Sequence, residues 1–268
     1  MRTLGWIAIN GFRESVRDKV LYSLVAFAIL LMATSYILGQ LTAGQDLKIM
    51  KDLGLSSIGI FGLFMSVFIG IGLVSKEVER RSIYGLLAKP VRRHEIVLGK
   101  FAGLALTLTV NIAIMTMALY AVLAYVGWGE NEFARQAREA PAVDPALLKA
   151  VVLTLVQLMI VTATALFFST FSTPILSAGL TFGVYIAGHF SQDLRNFDQV
   201  VNSRVAQLLA RGLYYVLPNL APFDVTSQVV HGMPVSAPYM AMTMAYGFVY
   251  IAILLIAAAT VFSRRDFK

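Results

Sequence analysis

The sequence contains no cysteine and few charged residues. Without Cys, the fold forms no disulfide and offers no thiol for catalysis, although this absence does not identify a compartment. Charged residues make up 14% of the 268 residues, against roughly a quarter in a soluble domain, while 58% are hydrophobic. This composition is typical of an integral membrane protein.

The motifs of common enzyme classes are also missing. The Gly-Lys pair at 99–100 is not a phosphate-binding loop, because His94 replaces its first Gly and Phe101 its Ser or Thr. The same His94 and Glu95 begin like a zinc-binding protease helix, but Leu98 replaces the second His ligand. No Gly-x-Ser-x-Gly nucleophile turn occurs. We therefore expect no catalytic, cofactor-binding or metal site in this chain.

Polar groups inside the apolar runs are scarce. Asn111, Gln157 and His189 are the main ones, and no Asp, Glu, Lys or Arg lies deep within a run. An ion-driven transporter usually keeps an ionisable group there, so this class is disfavoured. His189 with Asp193 and Asp198 could form a metal or acid–base site, but we interpret them as a solvated loop at the outer surface.

Long apolar runs predict an all-α integral membrane protein with a single transmembrane domain, residues 1–268. A membrane-spanning helix needs about 20 apolar residues, and continuous runs of this length suit helices rather than barrel strands. The runs free of Asp, Glu, Lys and Arg are Val20–Gln45, Leu53–Ser75, Phe101–Gly129, Ala150–Gln192 and Val225–Ser263. The fourth is long enough for two helices, divided at Ser169–Pro174, and the fifth spans from about 239 to 262. We therefore predict six membrane-spanning helices, the first of them retained rather than cleaved as a signal peptide.

The distribution of Lys and Arg predicts the orientation. With six spans, the termini, the 76–100 connector and the turn near residue 170 share one side, which carries 14 of the 22 Lys and Arg residues. The positive-inside rule then places both termini in the cytoplasm of a plasma membrane, expected to be a bacterial inner membrane. The net charge of +7 is explained by anionic lipid, and we expect no nucleic-acid partner.

Two segments outside the spans have amphipathic patterns. In residues 1–19, Leu4, Ala8, Phe12 and Val16 recur every four residues, which predicts a helix on the inner surface. The alternative is a simple extension of the first span. Residues 191–238, which precede the last span, contain “GLYYVLPNLAPF”, too short to cross a membrane and interrupted by two prolines. This pattern indicates an interfacial or re-entrant outer segment, and the alternative is a loop with interfacial tyrosines.

The cytoplasmic connector, residues 76–98, is the most charged part of the chain. A helix is predicted from Glu77 to Lys89, where Pro90 ends it, and a second helix restarts at residues 92–95. The first helix has an apolar face surrounded by charge, formed by Ile83, Leu86 and Leu87. Such a face at a membrane surface suits docking to another protein, and the alternative is a helix resting in the lipid headgroups.

The connector resembles the segment after the second span of type-2 ABC exporter permeases. That family has Glu-x-Glu, then Leu-Leu, then Pro-Val-Ser-Arg-x-Glu-Ile-Leu-x-Gly-Lys. Matching residues are Glu77, Glu79, Leu86, Leu87, Pro90, Val91, Arg93, Glu95, Ile96, Gly99 and Lys100. The chain departs from the pattern at Arg81, Tyr84 and Arg92. The resemblance extends to the whole plan of surface helix, six spans and outer segment.

The resemblance implies a permease that pairs with a second copy or homologue and with a cytoplasmic ATP-binding-cassette ATPase. ATP and Mg²⁺ would bind the ATPase, and the connector would be the coupling helix seated on it. The residues implied in coupling are Glu77, Glu79, Ile83, Leu86, Leu87, Pro90, Arg92, Arg93 and Glu95. Two other functions remain open: a membrane scaffold whose ATPase works without translocating a solute, and an intramembrane enzyme. Nothing in the sequence selects a cargo.

Overall fold

The described part of the chain is built of helices. The computed structural model describes residues 2–16, 18–40, 46–79, 93–128, 141–191, 207, 212 and 214–264, with the backbone alone at 2–4, 40, 73–79, 93 and 264. The helices are α1 (Arg2–Val16), α2 (Lys19–Gln40), α3 (Asp46–Glu79), α4 (Arg93–Trp128), α5 (Leu147–Ser169), α6 (Pro174–His189), a 3-10 turn (Ala221–Phe223), α7 (Thr226–Val230) and α8 (Ala237–Arg264). No strand occurs in these residues, which confirms the all-α prediction.

Five of these helices are long and apolar enough to cross a membrane within the described residues: α2, α3, α4, α5 and α8. Helix α6 has only 16 residues, or roughly 24 Å at 1.5 Å per residue, against a hydrocarbon layer of about 30 Å. By length, five helices of the described residues can therefore cross a membrane, and α6, which lies at the predicted fifth span, is too short to cross it alone.

The break between α5 and α6 lies where the sequence predicted it. Helix α5 ends at Ser169, and α6 begins with Pro174 as its first residue. Proline is well placed there, because its missing N–H would have no partner within the first turn of a helix. The short turn makes α5 and α6 neighbours in space.

Helix α3 differs from its sequence-based boundaries. The second span was predicted to end at Ser75, with a separate helix from Glu77, whereas α3 runs without interruption from Asp46 to Glu79. The sequence between these points contains neither proline nor glycine after Gly72, so nothing stops the helix at the expected boundary. Glu77 and Glu79 therefore lie on the end of the spanning helix itself.

The core is centred on α5. Of its 23 residues, 15 are buried, and it packs against α3 on one side and α8 on another. A Cβ atom added to Gly70 of α3 would lie 2.6 Å from the Cβ of Ala165 and 3.1 Å from the carbonyl oxygen of Thr162. The missing side chain lets the two helix backbones approach closely.

The N-terminal helix α1 is present and packs across α4. A Cβ added to Gly103 would lie 2.5 Å from the carbonyl oxygen of Ala8 and 3.1 Å from the backbone nitrogen of Phe12. Trp6 and Ile9 remain exposed. The buried contact is therefore made by backbone against glycine, while large apolar side chains of α1 face away from the protein.

Candidate functional sites at the two ends of the bundle

The structure fixes the two helix ends that flank the predicted coupling connector. Glu77 and Glu79 lie on the last turn of α3, and Arg93 is the first residue of α4. Glu95, in the first turn of α4, is partly buried and has an interaction partner. Of the other predicted coupling residues, Ile83, Leu86, Leu87, Pro90 and Arg92 lie outside the described residues.

Both flanking helices extend past the level at which α1 crosses the bundle. Helix α1 meets α4 at Gly103, and with α3 it lines a small cavity of about 30 Å³ next to Phe68, Ile69 and Gly72. From Gly72, α3 continues to Glu79, roughly 10 Å farther along the helix. From Gly103 back to Arg93, α4 extends roughly 15 Å. The connector is therefore attached to two projecting helix ends.

At the opposite end of the bundle, residues 214–236 form a folded unit, which we call the cap. It contains the 3-10 turn and α7, and Gly232, two residues after the end of α7 at Val230, has a φ of 69°. The amides of Gly232 and Met233 donate to the carbonyls of Val229 and Gln228, as in a Schellman motif. Buried apolar residues of the cap are Leu220, Phe223, Val225, Val229, Val230 and Val235.

The cap extends into the bundle, past the ends of the neighbouring helices α5 and α8. A Cβ added to Gly247 of α8 would meet Val156 of α5 at 2.6 Å and the ring of Phe223 at 3.1 Å. Val156 is roughly 13 Å along α5 from Leu147, and Gly247 is roughly 15 Å along α8 from Ala237. Phe223, which is fully buried, therefore anchors the cap between two helices inside the bundle.

Three tyrosines of α8 bind the backbone of the cap. The hydroxyl of Tyr239 donates to the carbonyl of Pro222 at 2.7 Å, and that of Tyr250 donates to the carbonyl of Val216 at 2.7 Å. Between them, the hydroxyl of Tyr246 accepts a hydrogen bond of 2.8 Å from the amide of Asn219. We call these three contacts the tyrosine clasp.

Two lysines and another tyrosine make similar contacts at this end. Lys51, which is buried, donates to the carbonyl of Pro141 at 2.9 Å, and Lys149 donates to that of Val235 at 2.9 Å. Tyr120 donates to the carbonyl of Asp144 at 2.8 Å. Polar side chains of the long helices thus donate hydrogen bonds to backbone carbonyls of the connecting segments. A carbonyl left unpaired away from water would cost free energy.

His189 takes part in a polar contact inside the bundle rather than at its outer surface. Its Nδ1 donates to the carbonyl of Tyr185 at 3.0 Å, so Nε2 accepts from the amide of Gln157, 2.8 Å away. Gln157 is roughly 15 Å along α5 from Leu147, and α6 therefore ends at this depth. Asp193 and Asp198 lie outside the described residues, among which no group of three acidic or histidine side chains is arranged to hold a metal.

Comparison with known families identifies the chain. The ABC-2 family transporter proteins match it over residues 5–267, nearly its whole length. The chain belongs to this family. A search of curated proteins finds no match. Membership makes the chain a permease subunit of an ABC transporter, a multi-pass membrane protein that works with an ABC ATPase.

The cap contacts in this ABC-2 permease were not predicted from the sequence. The expected outer segment, 191–238, was described only as interfacial or re-entrant, and its partners were unknown. One signal was available: Tyr239, Tyr246 and Tyr250 are spaced by seven and four residues, which places them on one face of a helix. The pattern gives the face, but not the segment that it contacts.

Proposed function

We propose that this chain is the membrane-spanning half of an ATP-driven exporter and that its cytoplasmic connector, residues 76–98, transmits movement from a partner ATPase. The observation that carries the proposal is the projection of α3 and α4 past α1, on helix ends that are continuous with the spans. A contact made at the connector would move two core helices directly. ATP and Mg²⁺ would be held by the partner, since the chain has no phosphate-binding loop.

The proposed topology has six crossings. Five are made by the long helices, and the sixth by α6 together with the cap, which occupies the depth that α6 does not reach. Both termini would lie in the cytoplasm of a bacterial inner membrane, on the side with 14 of the 22 Lys and Arg residues. Labelling single Cys substitutions at Thr3, Gln136 and Phe267 in whole cells tests this: only position 136 should react with an impermeant reagent from outside.

A second copy would complete the transporter. Helix α6 exposes Ile175, Leu176 and Ile186, and α3 exposes Ile60 and Phe68. Exposed apolar side chains on two neighbouring helices need either lipid or protein as neighbours. In the proposed exporter, part of this surface meets lipid and part meets the second permease, with an apolar path for cargo between the copies.

Substitutions in the connector test the coupling role. Leu86→Asp would place an unpaired carboxylate in the contact with the ATPase, and Pro90→Ala would change the angle at which the chain re-enters α4. Loss of a buried interface anchor typically costs about 2 kcal/mol or more. We expect both variants to insert normally but to lose association with the ATPase and uptake of cargo into inverted vesicles.

The matched control is Arg135→Ala, in the predicted outer loop, which should retain both activities. Wild-type association and transport in Leu86→Asp would show that the connector is only a helix in the headgroups. The purified chain alone should not hydrolyse ATP, and turnover should appear when the partner is added. Saturable turnover by the isolated chain would contradict the assignment of ATP to the partner.

A further inference from the structure

Helix α6 stops inside the bundle, and the cap continues from that depth. The amide of Leu220 donates to the carbonyl of Gly188 at 3.0 Å, so the cap begins where α6 ends. A Cβ on Gly188 would lie 2.6 Å from the carbonyl oxygen of Pro218. The cap is therefore seated directly on the end of α6, and any path along this helix toward that end of the bundle meets the cap.

The attachment of the cap to α8 is more extensive than its attachment to α6. The tyrosine clasp spans three turns of α8 and holds backbone groups at three positions of the cap, 216, 219 and 222. Phe223 adds a fully buried side chain against Gly247, with its ring centroid 6.3 Å from that of Tyr246. These hydrogen bonds to the backbone and the buried ring of Phe223 together fix the position and the orientation of the cap relative to α8.

Helix α6, in contrast, is held by few side chains. Only Ser177, Thr181 and Gly188 are buried, and the Gln157–His189 contact lies at its final turn. In its first turns, Ile175 has 88% of its surface exposed among the described residues. Among the described residues, the cap is held to α8 by three hydrogen bonds and a buried ring, whereas α6 packs on α3 and α5 through small buried residues, the Phe64–Phe182 ring contact and the Gln157–His189 hydrogen bond.

We propose that the cap and α8 move as one body throughout transport, so that release of cargo does not open a path between the cap and α8. This rests on the proposed exporter function. It assigns Tyr239, Tyr246 and Tyr250 as positioning residues of the cap. It also requires that a covalent link between the cap and α8 leave turnover intact.

Hydrogen–deuterium exchange of the reconstituted chain tests the clasp independently of transport. In the wild type, amides of residues 216–224 should be protected. Tyr246→Phe removes the acceptor for the Asn219 amide and should speed exchange around it by about fivefold, and the triple Tyr→Phe variant should do so across the cap. The control is Tyr22→Phe, an exposed tyrosine outside the cap. Equal exchange in wild type and the triple variant would overturn the proposal.

Cross-linking tests whether the cap and α8 stay together during turnover. The absence of native cysteine allows Val216→Cys with Tyr250→Cys, joined by a bifunctional thiol reagent about as long as the removed tyrosine ring. We expect ATP-driven transport by the linked complex to equal that of the two single-Cys variants given the same reagent. Transport blocked only in the double variant would overturn the proposal. If even the wild-type complex transports nothing, the proposed function fails, and the exchange measurement still decides the clasp.

Discussion

Helices α5 and α6 follow one another in the chain and are both strongly apolar, yet the protein buries them very differently. In α5, 15 of 23 residues are buried, whereas in α6 the number is 3 of 16. The buried positions of α6 are Ser, Thr and Gly, while its Ile and Leu residues face outward. Large apolar residues therefore mark the protein core in α5 and the exterior in α6, because outside a membrane helix the neighbour is lipid or another subunit rather than water.

The largest effect is expected from forcing a side chain between α3 and α5. Gly70→Leu would collide with the backbone of α5 near Thr162 and should cost on the order of 5 kcal/mol, enough to prevent stable folding. Gly72→Leu, two residues away on the same helix, has no atom within 4 Å of its added Cβ and is the matched control. The measurement is monodisperse yield and melting temperature in detergent.

Equal behaviour of these two glycine variants would contradict the close packing of α3 on α5. Gly72→Leu should retain a wild-type elution profile. A melting temperature for Gly70→Leu within a few degrees of wild type would mean that the two helices are free to separate.

Truncating one isoleucine in α5 and one in α6 tests directly whether the two helices differ in burial. Ile160 in α5 is fully buried, and Ile160→Ala should destabilise the chain by about 2–5 kcal/mol. Ile175 in α6 is 88% exposed, and Ile175→Ala should change stability by no more than about 0.5 kcal/mol. Reversible unfolding in mixed micelles measures both. A large loss at Ile175 in the isolated chain would show that α6 is packed more tightly than its exposure indicates.

The contact between Gln157 and His189 is the polar link between α5 and α6. A double-mutant cycle with Gln157→Leu and His189→Leu should give a coupling energy of about 0.6–1.7 kcal/mol, the range found for hydrogen bonds between membrane helices. Additive effects of the two substitutions would mean that the side chains do not interact in the membrane.

A small stabilising effect is expected at Gly183, on the exposed part of α6. No atom lies within 4 Å of a Cβ added there, so Gly183→Ala should stabilise the chain by about 0.5–1 kcal/mol through helix propensity alone. The Gly179-x-x-x-Gly183 pattern permits close approach of helices, but within this chain both positions are open. Cross-linking between copies in membranes then shows whether the outward face of α6 contacts lipid or protein. If Gly183→Leu reduces cross-linking between two copies, this face of α6 contacts the second permease.

A Gly-x-x-x-Gly spacing occurs twice in the sequence, and it coincides with a helix contact in one case but not in the other. The Gly99-x-x-x-Gly103 pattern permits a close helix contact, and the backbone of α1 packs against Gly103. The same spacing at Gly179 and Gly183 has no partner among the residues that the structure describes. A small residue permits close approach without specifying what approaches, since the missing side chain carries no information about the neighbour.

The sequence by itself determined the membrane class, the helical architecture and most helix ends. These follow from local physics: a backbone in lipid must satisfy its own hydrogen bonds, and a proline such as Pro174 is favoured in the first turn of a helix, where its missing N–H leaves no bond unmade. It also contained enough of the connector pattern to indicate the family, which the match over residues 5–267 confirms. The continuation of α3 to Glu79 was missed because charge was taken as a helix boundary, although charged residues continue a helix readily.

Only the tertiary structure decided which apolar faces are buried, where α6 ends and how the cap is held. Lipid and protein interior are equally apolar, so hydrophobicity does not distinguish a core residue such as Ile160 from an exterior one such as Ile175. The partners of Tyr239, Tyr246 and Tyr250 are backbone atoms, which have no side-chain signature in the sequence. Such contacts exist only once α8 and the cap are folded together.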